Sequence, residues 1–129
     1  MPITVAAYTV VQDNEILVEA ERPEQAFRVF DASGEDDNLP SVLTFRVRPN
    51  TSFGDIRLNL TLNNNLIGSD NFFESVKRGW TETIDAGILN PSCNELTVSL
   101  RSSDGSAAPV GSQIGVAEVT LFYSVQLNL

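Results

Sequence analysis

Four carboxylates, Asp31, Glu35, Asp36 and Asp37, crowd into one short stretch that ends on Asn38. Hard oxygen ligands at that density are what Ca²⁺ requires, so this stretch is a candidate cation site. The order Asp-Ala-Ser-Gly-Glu-Asp-Asp-Asn lacks the alternating ligands and distal glutamate of an EF-hand, and a plain solvated acidic loop is the alternative. No other cofactor is implied.

Trp80 follows Lys77-Arg78-Gly79 and lies near Phe72 and Phe73. An indole in that company is a candidate for stacking on a sugar or contacting a partner; the competing reading is a core residue. Arg57, Asn59 and Asn63, with Thr61, Asn64 and Asn65, form a polar strand face able to hydrogen-bond hydroxyl groups, or simply a wet one.

Catalysis finds little to work with. The chain has no histidine, which removes the usual general base of serine and cysteine hydrolases and the commonest transition-metal ligand. Cys93 is the only cysteine and has no histidine to activate it. Glu82 and Asp85 flank the Trp80 region, with Glu74 nearby, but glycoside hydrolysis needs two acids facing one cleft. A small sandwich rarely encloses such a cleft, so the expectation is a protein that is not an enzyme.

The elements that must position these residues are strands. From Gly115 to Leu129, Ala117, Val119, Leu121, Tyr123, Val125, Leu127 and Leu129 occupy alternate positions against Glu118, Thr120, Ser124, Gln126 and Asn128, interrupted only by Phe122. A period of two sustained that long is a half-buried strand crossing a whole small domain. Leu43, Phe45 and Val47 alternate with Thr44, Arg46 and Arg48, and Ile56, Leu58, Leu60 and Leu62 with Arg57, Asn59 and Thr61. Leu96, Val98 and Leu100 repeat the pattern.

Ile3 to Val11 is apolar on both faces, as suits a strand covered on both sides or lying at a subunit contact. Ile16 to Glu21 reads as a short return strand and Gln25 to Phe30 as a third strand or the start of a helical turn. Asn63 to Asn71 reads as a turn-rich excursion with room for a short extended piece, Phe72 to Ile84 as one long strand or two broken ones, and Ala86 to Leu89 as room for one helical turn. No helix of useful length is written anywhere. About eight or nine strands at regular spacing predict an all-β, antiparallel two-sheet sandwich, a jelly roll, formed as a single domain over the whole chain.

Composition agrees. Of 129 residues, 42% are hydrophobic and 19% charged, which is globular usage and enough chain for one core. Lys plus Arg number 8 against 17 Asp plus Glu, a formal charge of −9, so phosphate backbones and anionic headgroups are repelled: neither nucleic acid nor membrane is an expected partner. Met1-Pro2-Ile3-Thr4 has no signal-peptide character, and no window approaches the ~20 apolar residues of a membrane helix. Compartment is left open, because a lone cysteine fits many of them.

Thr83 to Leu100, followed after a gap by Val116 to Tyr123, resembles the second half of galactose-binding-domain-like jelly rolls. Leu89-Asn90-Pro91-Ser92-Cys93-Asn94-Glu95-Leu96 matches that family's turn into a strand in spacing, and departs at Cys93, where glycine or a small polar residue is usual. Independently of any family, Pro91 sets a turn, Asn94 can bond neighbouring backbone, and Leu96 re-enters the core. The resemblance implies a sandwich that serves as a sugar-binding or protein-binding module. The expected function is therefore a non-catalytic module recognising a glycan or protein partner through loops and one sheet face. The alternative is a structural, homo-oligomeric subunit of an assembly, such as a virion decoration, fibre or capsid-associated protein. It draws on the doubly apolar first strand and the Gln126-Leu127-Asn128-Leu129 ending.

Overall fold

A computed structural model describes residues 1–128; Leu129, placed on the last strand by its alternation, lies outside the described residues. Nine strands follow in order: β1 Pro2–Gln12, β2 Ile16–Glu19, β3 Glu24–Ala26, β4 Ser41–Asn50, β5 Ile56–Leu62, β6 Asn65–Phe72, β7 Arg78–Ile84, β8 Leu96–Ser102 and β9 Gln113–Asn128. All pairings are antiparallel and the described residues include no helix. One sheet runs β1-β9-β4-β7, with β2 also pairing β9, and the other runs β3-β8-β5-β6. This is the two-sheet jelly roll expected from the alternation.

The sheets meet through the predicted side chains. Leu43, Phe45 and Val47 of β4 face Ile56, Leu58, Leu60 and Leu62 of β5 and Leu96, Val98 and Leu100 of β8 across one buried core. Burying each such side chain is worth about 1.5–3 kcal/mol relative to leaving it in water, so the two inner faces dominate the stability.

The long strand β9 carries a bulge that periodicity does not reveal. Glu118 adopts φ +54°, its N–H donates to the Asp13 carbonyl at 3.1 Å, and the register shifts on both neighbouring strands. One extra residue inverts the parity of everything beyond it. Ile114 and Val116 point inward before the bulge, Val119 and Leu121 after it, and Ala117 falls out of the inward set in which simple alternation places it.

Other departures are local. Asn65 to Phe72 is a full edge strand, β6, longer than the short extended piece allowed for there, and Phe72 to Ile84 divides into the end of β6, a loop and β7. The third strand is only Glu24–Ala26, and residues 86–89 form turns without a helix.

Candidate functional site

A groove able to receive a ligand is walled by the end of β6, the β6–β7 loop and the start of β7, and two further loops pack beside it at one end of the sandwich. Thr51, after β4, donates its backbone N–H to Ser75 Oγ at 2.9 Å, tying the β4–β5 loop to the β6–β7 loop. Phe53 lies against Gly111, and Pro109 against Gly54, which brings in the β8–β9 loop. In this cluster Phe53, Phe73, Val76 and Val110 are exposed. Asn71, Phe73, Glu74, Val76 and Arg78, with the rim of Phe72, line a cavity of about 320 Å³.

Each wall has a positioning cause. The Phe72-Phe73 pair straddles the end of β6, so the first ring enters the core while the second, 63% exposed, turns out to solvent. Arg78 caps the buried Phe72 ring with its guanidinium carbon 4.6 Å from the centroid and pairs with Asp70, linking β6 of one sheet to β7 of the other. Asn71 accepts a hydrogen bond from Arg57 Nε at 2.9 Å, and Arg57 also donates to the Ser103 carbonyl. Through Asn71 and Arg57 the groove is continuous with the outer face of β5, β6 and β8. There Ser69 donates to Asn59 Oδ1 at 2.7 Å, beside Thr61, Thr97 and Ser99.

The candidate ligand residues are thus divided. Arg57 and Asn59 lie on that polar face, half-buried and oriented by their neighbours. Asn63 does not join them as a ligand donor. Its amide donates to the carbonyl of Ile88 and to Asn94 Oδ1, both at 2.9 Å, and its oxygen accepts from the Glu95 N–H, so its polar atoms are engaged within the fold. Trp80 is corrected as well. It is 8% exposed, packed on Phe45 and Phe72 with centroids 4.9 and 6.0 Å away, and its Nε1–H donates to Glu82 at 3.0 Å. With so little of its ring at the surface, Trp80 belongs to the core and is a poor stacking platform.

The acidic loop does not assemble into a chelating site. Among the described residues no three His, Cys, Asp or Glu side chains are placed to hold a metal ion. Asp31 accepts the Cys93 N–H at 3.0 Å, and Asp36 accepts the Asn38 N–H at 3.0 Å. Glu35 bridges to Val125 of β9, and the Asp36 N–H donates to the Ser124 carbonyl, so this loop serves as a cap on the free side of β9. Burial, then the charges of Asp37 and Asp36, push the Glu35 carboxyl above its ordinary value. Asp37 remains on the surface.

Asn94 performs the structural role that its turn predicts, and more. Fully buried, it donates to the carbonyls of Phe30 and Asn90 and accepts from the Asn90 N–H and from Asn63. Cys93 before it adopts φ +59°, the left-handed conformation that explains why glycine is usual there. Sequence reasoning missed Phe53 and Phe73 as the exposed aromatics of this loop cluster; the only signal was their placement in or beside turn-forming residues.

Known structures share this architecture. Latent PorU from Porphyromonas gingivalis, described as dimeric, matches 94% of this chain at 14% identity with a TM-score of 0.56. The C-terminal domain of EclA, a sugar-binding protein, matches 92% at 11% identity with a TM-score of 0.55. A family 35 carbohydrate-binding module from Clostridium thermocellum matches 94% at 17% identity with a TM-score of 0.47. The chain spans 13% of the PorU chain, 78% of the EclA one and 97% of the third. What these structures share with the chain is the fold, an antiparallel two-sheet β-sandwich. No protein-family model matches the sequence, and no curated protein does. No helix among the described residues is long and apolar enough to cross a membrane.

Proposed function

We propose that this domain is a non-catalytic module that binds a glycan in the loop-end groove, with Phe73 as the stacking platform. The carrying observation is the placement of that exposed ring between an amide, a carboxylate and a guanidinium, those of Asn71, Glu74 and Arg78. A pyranose presents an apolar C–H face and a rim of hydroxyls, and a site of this composition matches both at once. Arg57 and Asn59 on the adjoining face extend the contact to a second sugar unit.

The likeness in fold to the EclA domain, itself a sugar-binding protein, supports the same reading. So does the fate of the acids considered for hydrolysis. Glu82 is held by the Trp80 indole, away from the groove that contains Glu74. The test is a glycan array followed by calorimetric titration of the strongest binder. Phe73→Ala is expected to abolish binding while leaving the thermal melt unchanged. An array without binders, or a Phe73→Ala protein that binds as tightly as the parent, overturns the reading.

A further inference from the structure

Four sheet edges exist in this fold, and three are protected. Strand β3 is only three residues long. Strands β6 and β7 flank one side of the sandwich, where the Asp70–Arg78 ion pair joins them and the Glu82 side chain lies over Gly68. Short or charged edges of this kind resist pairing with another chain.

Strand β1 is different. It pairs only with β9, and among the described residues no third strand covers its outer edge. Arg28 closes one end of that edge, donating from its guanidinium to the carbonyls of Val10 and Val11 at 3.3 Å each. From Pro2 to Thr9 the edge stays open over about 26 Å of extended chain. Ile3, Val5 and Tyr8 are exposed along it, and Tyr8 meets Phe122 of β9 at a ring separation of 6.1 Å.

We propose that this open edge pairs antiparallel with the same edge of a second copy, joining two five-stranded sheets across a two-fold axis. A strand that pairs with itself in antiparallel fashion makes an isologous contact, which closes at two copies. Charge selects the occupant. The chain carries a net −9, yet neither residues 1–12 nor residues 119–128 include a charged side chain. Two copies can therefore meet along this ribbon without setting like charges directly opposite one another, and a charged peptide finds no counter-ion there. Main-chain hydrogen bonds supply the affinity, and the Ile3/Val5 and Tyr8/Phe122 faces add apolar area on either side.

The contact is tested on the full chain by sedimentation equilibrium from micromolar to near-millimolar concentration. The parent is expected to double its mass, and Thr4→Lys/Ala6→Lys, which sets like charges together across the axis, is expected to weaken dimerisation roughly tenfold or more. Because the variant's fold requires its own check by circular dichroism, hydrogen exchange on the parent provides a second readout. Amides between Thr4 and Thr9 are expected to gain protection with concentration while those of β5 do not change. A parent that stays monomeric, forms trimers or larger, shows no concentration-dependent protection, or has a folded lysine variant that dimerises equally well overturns the proposal. None of these outcomes depends on glycan binding.

Discussion

The side-chain amide of Asn63 donates to the side-chain oxygen of Asn94 at 2.9 Å, joining the β5–β6 turn to the loop that enters β8. Asn94 is fully buried and uses its amide nitrogen and oxygen on Phe30, Asn90 and Asn63 together. Removing that side chain strands several buried partners at once. A lost neutral hydrogen bond costs about 1 kcal/mol and an unsatisfied buried group about 1–3. Asn94→Ala is therefore expected to cost roughly 3 kcal/mol, a melting point lower by about 10 °C. Thermal melts monitored by circular dichroism check this, and a shift within a degree or two of zero contradicts it.

Gly68 and Glu82 are coupled across the side of the sandwich. A Cβ at Gly68 would overlap the Glu82 carboxylate, which accepts the Trp80 N–H at 3.0 Å. Gly68→Ala should swing Glu82 away and orphan the indole, and Glu82→Ala should do the same from the other end. Each is expected to cost about 1 kcal/mol, and the double variant clearly less than the sum, since the same bond is lost once. Urea melts of the four proteins form the cycle; strict additivity would show that the two sites are independent.

Cys93 holds a left-handed backbone in the turn before Asn94. Its N–H donates to Asp31, which anchors the conformation from outside the turn. Glycine reaches this region at no steric cost, so Cys93→Gly is expected to change stability little or raise it by up to about 1 kcal/mol. Cys93→Val, β-branched, is expected to lose about 1–3 kcal/mol. The paired measurement separates backbone strain from any role of the thiol.

The strands that were legible in the sequence are those with one wet and one dry face. In Ile56 to Leu62 and Leu96 to Leu100, burial follows the alternation residue by residue. β6 was less legible because Asn65, Ser69 and Asn71 look like turn formers, and as an edge strand it gains little from apolar residues. The bulge at Glu118 left no local mark because it answers to Asp13, a residue far away in sequence. The site was the least legible part for the same reason. Whether Trp80 or Phe73 takes the surface depends on which ring β4 and β7 enclose, and Asn63 is claimed by partners about thirty residues away. Chemistry-bearing residue types were visible; their prior commitments to the fold were not.

Glu35 sits where the acidic loop crosses β9, and burial, then Asp37 and Asp36, raise its carboxyl pKa in the folded state. A folded pKa above the unfolded one means that the native state binds the proton more readily. Above the folded pKa both states are ionised, and the strain of holding that charge is fully present. As pH falls from the folded pKa toward the ordinary glutamate value of about 4.3, the native state takes up the proton first and the strain is relieved. Glu35→Gln removes the charge at every pH. It is expected to melt higher than the parent at pH 7, with the difference shrinking through the mildly acidic range and vanishing near pH ~4. Melting temperatures of the two proteins from pH 8 to pH ~3.5 check the sign. A glutamine variant that is less stable at neutral pH would show that the ionised carboxylate is stabilised by its surroundings instead.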